Sequence, residues 1–147
     1  MNKAFVREPD DTAPLCPLCG AQGESVPETA LARYVPADQR HRLGGMVYFC
    51  ETPTCEAVYY DAVEDYVPAS QLTQAVYPKD PAAPMCACFG LTSQAIDQDL
   101  AEGSPRRIRE ILAQAQTPAA HCSEAAANGR CCIPALQKYY LRRFQQR

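Results

Sequence analysis

The chain has 147 residues, of which 47% are apolar and 21% charged, and a formal net charge of −3. These are the proportions of an ordinary globular protein of one domain or two small ones. The acidic balance disfavours a nucleic-acid partner, which needs a basic face. No stretch approaches the ~18 apolar residues of a membrane span.

Thirteen prolines divide the chain and favour loops over long elements. A core so divided is thin, and metal sites commonly substitute for core. Nine cysteines are present. The first residues, Met1 to Asp11, lack the apolar region of a secretion signal, so a cytoplasmic location with reduced thiols is expected. Grouped thiols in such a protein usually hold metal rather than form disulfides.

In chain order, residues 1–14 read as a flexible lead, disordered or extended and acidic, with Pro9 and Pro14. Cys16-Pro-Leu-Cys19-Gly20 reads as a tight knuckle, with Gly20 free to take positive φ. His41, between Arg40 and Arg42, reads as a surface residue. Gly45-Met-Val-Tyr-Phe-Cys50 and Ala57-Val-Tyr-Tyr-Asp61 are β-branched and aromatic, and a turn-rich link joins them. They predict a β-hairpin with Cys50 and Cys55 beside its turn. Tyr48, Phe49, Tyr59 and Tyr60 read as packing residues of that hairpin.

Residues 62–84 read as a proline-spaced connector, with Pro78 to Pro84 as the domain boundary. The pattern then turns helical. Thr92 or Ser93 caps a helix that Gly103 ends. Ser104 caps a second helix with Pro105 at its first position and Ile108, Ile111, Leu112 and Ala115 on one face. Thr117-Pro118 closes it. A loop carries Cys122, Asn128-Gly129 and Cys131-Cys132. Pro134 opens a third helix with a stripe of Leu136, Tyr140, Leu141 and Phe144.

Cys16, Cys19, Cys50 and Cys55 have the paired spacing with which two loops meet one ion. Four thiolates suit Zn²⁺, or a single iron. A four-thiolate zinc ion has no open position, so its expected role is structural. Cys86-Ala-Cys88 has one intervening residue, which is poor for a zinc knuckle but suits two sulfurs on one iron of a cluster. The loop precedes a helix, whose N-terminal amides are expected to face the anionic centre. Cys122 and one of Cys131 and Cys132 complete that set, giving a [2Fe–2S] arrangement. Each loaded four-thiolate centre adds about two negative charges. Arg106, Arg107 and Arg130 nevertheless read as surface residues.

Cys86-x-Cys-Phe89, a helical pair, a further Cys and the closing Asn128-Gly129-Arg130-Cys131-Cys132 resemble the bacterioferritin-associated-ferredoxin-like (BFD-like) [2Fe–2S] domains. With Cys16-Pro-Leu-Cys19-Gly20 and the Tyr48-Phe49-Cys50 to Cys55-Glu-Ala-Val-Tyr59-Tyr60 hairpin, residues 15–135 resemble the N-terminal domain of the iron–sulfur copper chaperones called CopZ. The resemblance implies a zinc ion on Cys16, Cys19, Cys50 and Cys55. It implies a cluster on Cys86, Cys88, Cys122 and Cys132, with Cys131 left over. The chain lacks the Met-x-Cys-x-x-Cys loop that full-length members of that family carry.

The expected fold is α+β. A lead (1–14) precedes a zinc-binding β-hairpin module with its proline-rich connector (15–84), then a helical [2Fe–2S] module (85–147). The expected function is electron transfer linked to handling a soft metal such as copper, including cupric reductase activity. The expected partners are a redox protein or a copper-handling protein. Cys131 is a candidate soft-metal contact or equally a bystander thiol. The rival readings are a ferredoxin that docks on a reductase or iron-storage protein, and a zinc-only regulatory module. His41 and His121 are the only histidines, which disfavours a histidine-based hydrolase.

Overall fold

A computed structural model describes residues 14–117 and 125–146. The lead up to residue 13, the Thr117-Pro118 helix stop in part, His121 and Cys122 fall outside the described residues. The architecture is mixed α and β, with a small antiparallel sheet first and a helical half after it.

The predicted hairpin is present as β2 (Val47–Phe49) and β3 (Ala57–Asp61), paired Tyr48 with Tyr60 and Phe49 with Tyr59. Two short strands extend it. β1 (Glu24–Ser25) pairs with β2, and β4 (Tyr66–Pro68) pairs with β3, giving the order β1-β2-β3-β4. Residues 62–76 are therefore not a connector. They supply β4, a 3-10 turn at Ala69–Gln71 and Val76, which is buried in the core. Pro68 is tolerated because β4 is an edge strand, where a missing N–H breaks no ladder.

β3 is buried along its whole length. A register shift between Ala57 and Tyr59 breaks strict alternation, as a bulge does. Val58 and Tyr59 both join one core, with Leu31, Tyr34, Val35, Val47, Phe49 and Val67. Ala57 and Tyr60 join another, with Cys16 and Cys50. The first core is closed by α1 (Glu28–Tyr34); α2 (Ala37–Arg40) follows, with exposed His41 at its end. Asp61, fully buried, accepts the Gly44, Val63 and Asp65 amides at 2.9–3.0 Å, so its carboxylate organises the β3–β4 turn.

In the helical half, α3 (Ser93–Glu102) starts and stops where predicted. The Thr92 hydroxyl accepts the Ala95 amide, and Gly103 ends the helix at φ 76°. α4 (Arg106–Gln114) starts just after Pro105. Ser104 does not cap it. The buried Asp99 of α3 does: its carboxylate accepts the Ile108 amide at 3.0 Å and pairs with Arg107 at 2.8 Å. α5 (Ile133–Gln146) buries Leu136. Leu141 and Phe144, expected in its packed stripe, are exposed; Tyr139 instead reaches back to Asp97 on α3. Ile96, Ile108, Ile111, Leu136, Cys86 and Cys132 form one apolar cluster.

The two halves meet at the loop before α5. Tyr34 Oη donates to the Ala125 carbonyl and Tyr59 Oη to the Ala127 carbonyl, the latter at 2.6 Å. Arg130 pairs with Glu24 at 2.9 Å and donates to the Ser25 carbonyl at 3.0 Å.

Candidate metal centres

Cys16, Cys19, Cys50 and Cys55 converge. Their four Sγ atoms lie within 4.8 Å of one another, with Cys16–Cys55 at 3.8 Å and Cys19–Cys50 at 3.6 Å. A Zn–S bond of ~2.3 Å in tetrahedral geometry needs sulfur–sulfur edges of about 3.8 Å. The donor set fits a tetrahedral thiophilic ion with little movement. Cys16 and Cys50 are buried, Cys55 is half-buried and Cys19 faces solvent.

Local structure makes this site. Cys16 N–H bonds the Ala21 carbonyl, and Gly20 N–H returns to the Cys16 carbonyl, both at 2.9 Å, with Gly20 at φ 78°. That turn aims the Leu18 and Cys19 amides at Cys16 Sγ and the Ala21 amide at Cys19 Sγ. The Ala57 amide serves Cys55 Sγ. Tyr60 holds the loop in place: its hydroxyl accepts the Gly23 amide and donates to the Pro14 carbonyl. Gly23 is required there, because a Cβ would come within 2.3 Å of the Phe49 carbonyl oxygen. Tyr48 stacks on Tyr60 with ring centroids 5.6 Å apart. The hairpin aromatics pack as expected.

Without metal, Cys16, Cys19 and Cys55 do not hold protons equally. Burial raises the Cys16 thiol, and burial pushes Cys55 up to about 12. The Thr52 hydroxyl, 3.3 Å away, is the main cause that brings Cys19 down to about 6, with the Ala21 amide second. Thr52 is a site residue that sequence reading missed. So is Lys79, whose ammonium donates to Cys50 Sγ at 3.4 Å and to the Thr52 and Cys55 carbonyls at 2.7 and 3.1 Å. Thr52 lies between Cys50 and Cys55, where a hydroxyl beside the paired thiols was the available signal, whereas Lys79 lies 29 residues from Cys50 in sequence.

Residues 13–73 match the zf_CopZ family model, described as a zinc binding domain. The fold is similar to the X-ray structure of the Archaeoglobus fulgidus CopZ N-terminal domain. That likeness has a TM-score of 0.68 at 23% identity and spans 84% of this chain and 95% of that one. A search of curated proteins found no match. The zinc-binding match and the four-thiol geometry together support zinc binding by this chain, and thereby a role in metal handling.

The second cysteine group is partly in view. Cys86 is buried, and its sulfur lies in hydrogen-bond contact with the buried Cys132. That contact is the main cause lowering the Cys86 thiol to about 6; the Phe89, Cys88 and Leu91 amides, also aimed at the sulfur, add to it. These amides belong to the loop itself. The first turn of α3, expected to supply them, gives its Ala95 amide to Thr92 instead. Cys88 is half-buried against the same apolar cluster. Cys131 is exposed. It shares the wall of a cavity of about 200 Å³ with Met85 and Cys132.

The Cys86 loop repeats the turn of the Cys16 loop. Cys86 N–H bonds the Leu91 carbonyl at 3.1 Å, Gly90 N–H returns to the Cys86 carbonyl at 2.7 Å, and Gly90 has φ 77°. In both, a cysteine is followed four residues later by a left-handed glycine. They differ in the second cysteine, which is third after the first in one and second in the other. Arg106 pairs with Glu102 and Arg130 with Glu24, as surface residues would; Arg107, expected at the surface, is instead half-buried against the buried Asp99.

Proposed function

We propose that this chain is a two-centre metalloprotein that transfers electrons in the handling of a soft metal such as copper. Cys16, Cys19, Cys50 and Cys55 hold zinc and stabilise the first module (15–84). Cys86, Cys88, Cys122 and Cys132 hold a [2Fe–2S] cluster in the second (85–147). The observation that carries this reading is the Cys86 cradle. A buried thiol receives three loop amides and the Cys132 thiol inside an apolar shell, the surroundings that stabilise a thiolate ligand and tune a cluster's potential. The buried Cys132 favours its choice over the exposed Cys131. The eight cysteines among the described residues form no disulfide, in keeping with a reducing, cytoplasmic setting.

When bound, such a cluster supplies one-electron chemistry. The chain's own residues exclude water around Cys86 and hold its thiolate. One electron passed from a redox partner protein to Cu²⁺ yields Cu⁺, with no bond or proton to balance. Cu⁺ prefers sulfur; Cys131 and Met85 present sulfur beside Cys132.

The purified protein tests the reading. A red-brown colour, about 2 Fe and about 1 Zn per chain, and an EPR signal after dithionite reduction are expected. A colourless protein with zinc alone would overturn the cluster. The pre-reduced protein is expected to reduce Cu²⁺, and Cys88→Ser to lose that activity. An unchanged rate in Cys88→Ser would leave the protein as a docking ferredoxin for a reductase or iron-storage partner.

A further inference from the structure

We infer that Lys79 is the residue that keeps the zinc centre inert toward thiol-seeking reagents and ions. The inference rests on zinc occupying the four-thiol site. It does not depend on the cluster.

Each sulfur of the site has a donor. Cys16, Cys19 and Cys55 receive backbone amides, and Cys19 also receives the Thr52 hydroxyl. Cys50 differs. Its own N–H is spent on the Val58 carbonyl, and its sulfur receives the Lys79 ammonium at 3.4 Å. The ammonium is fixed there by two further bonds, to the Thr52 and Cys55 carbonyls, so all three of its protons have acceptors. A long lysine side chain pinned at three points is placed by the fold and is not a solvated charge in passing.

The chemistry follows from charge. Four thiolates on Zn²⁺ leave a net negative centre whose sulfurs remain nucleophilic. A charge-assisted N–H···S bond draws electron density from the sulfur lone pair that an electrophile or competing soft ion would use. Cuprous and other thiophilic ions bind thiolates more strongly than zinc does. A protein that handles such ions therefore needs kinetic protection at a zinc site made only of sulfur.

The reaction with iodoacetamide reads this directly. A zinc-bound sulfur forms an S–C bond, the C–I bond breaks, iodide leaves, and the resulting thioether no longer holds zinc. Zinc release into a chromogenic chelator would be followed for the zinc-loaded full chain, with and without iodoacetamide. Lys79→Met is expected to release zinc about tenfold faster with iodoacetamide, as loss of a charge-assisted hydrogen bond implies. Release into chelator alone should be unchanged. Lys79→Arg, which restores a cation, should recover most of the protection. Equal rates for the wild type and Lys79→Met with iodoacetamide would overturn the inference. So would an equal acceleration without it, which would make Lys79 merely structural. A chain that carries no zinc after purification would instead overturn the zinc assignment itself.

Discussion

Asp61 and Gly23 show how single residues set the geometry of the first centre. The Asp61 carboxylate is fully buried and accepts three backbone amides around the β3–β4 turn. Asp61→Ala would leave those donors unpaired, and a loss of about 2–4 kcal/mol in urea unfolding is expected. Asp61→Asn, which keeps an acceptor, should cost about half as much. Gly23 has no room for a methyl group against the Phe49 carbonyl. Gly23→Ala should displace the knuckle strand, cost about 1–3 kcal/mol and weaken zinc retention against a chelator, whereas Gly44→Ala, with open space around it, should leave zinc retention alone. Asp61 takes two of its three amides from within four residues, but the other roles are not written locally. The cysteine spacing was legible because two residues of one loop must meet one ion, whereas the Phe49 carbonyl against Gly23 and the Cys50 sulfur beside Lys79 lie elsewhere in the chain.

Among the elements, those with local signals were legible and those defined by pairing were not. Thr92 and Gly103 mark α3 because a cap hydroxyl and a left-handed glycine act within one turn. The hairpin strands were legible from their β-branched and aromatic run. β1 and β4 have two and three residues, too few to show a period, and Pro68 points away from a strand unless the strand is known to lie at an edge. The start of α4 was misread for the same reason: the capping carboxylate, Asp99, belongs to the neighbouring helix. Asp99→Ala would strip Arg107 and the Ile108 amide of a buried partner at once. Helical content by circular dichroism should melt earlier, with a stability loss of about 1–3 kcal/mol from the unpaired Ile108 amide. Arg107→Lys, which keeps the charge but loses the fork, should cost less.

At the scale of the whole molecule, the described residues divide their core into three. One apolar cluster lies between the sheet and α1, a second around the zinc thiols, and a third among the helices. The sheet and helical halves are joined through the loop before α5 by two tyrosine hydroxyls and Arg130. Zinc removal is therefore expected to unfold the sheet half first, because binding free energy at a four-thiolate site is folding free energy. Hydrogen exchange after chelation should show early loss of protection in β2 and β3 and later loss in α3. Simultaneous loss in both would mean that the loop couples the halves into one cooperative unit. Sequence alone divided the chain by its prolines; it could not show that residues 125–130 return to the sheet.

The repeated glycine turn at Cys16 and Cys86 has a consequence of its own. One backbone shape, used twice, presents a sulfur to converging amides in the same way each time, so the main chain does not choose the cofactor. The choice falls to the spacing of the second thiol, a single position along the turn. Spacing of that kind is open to editing: exchanging Cys88 with Phe89 gives the second loop the wording of the first.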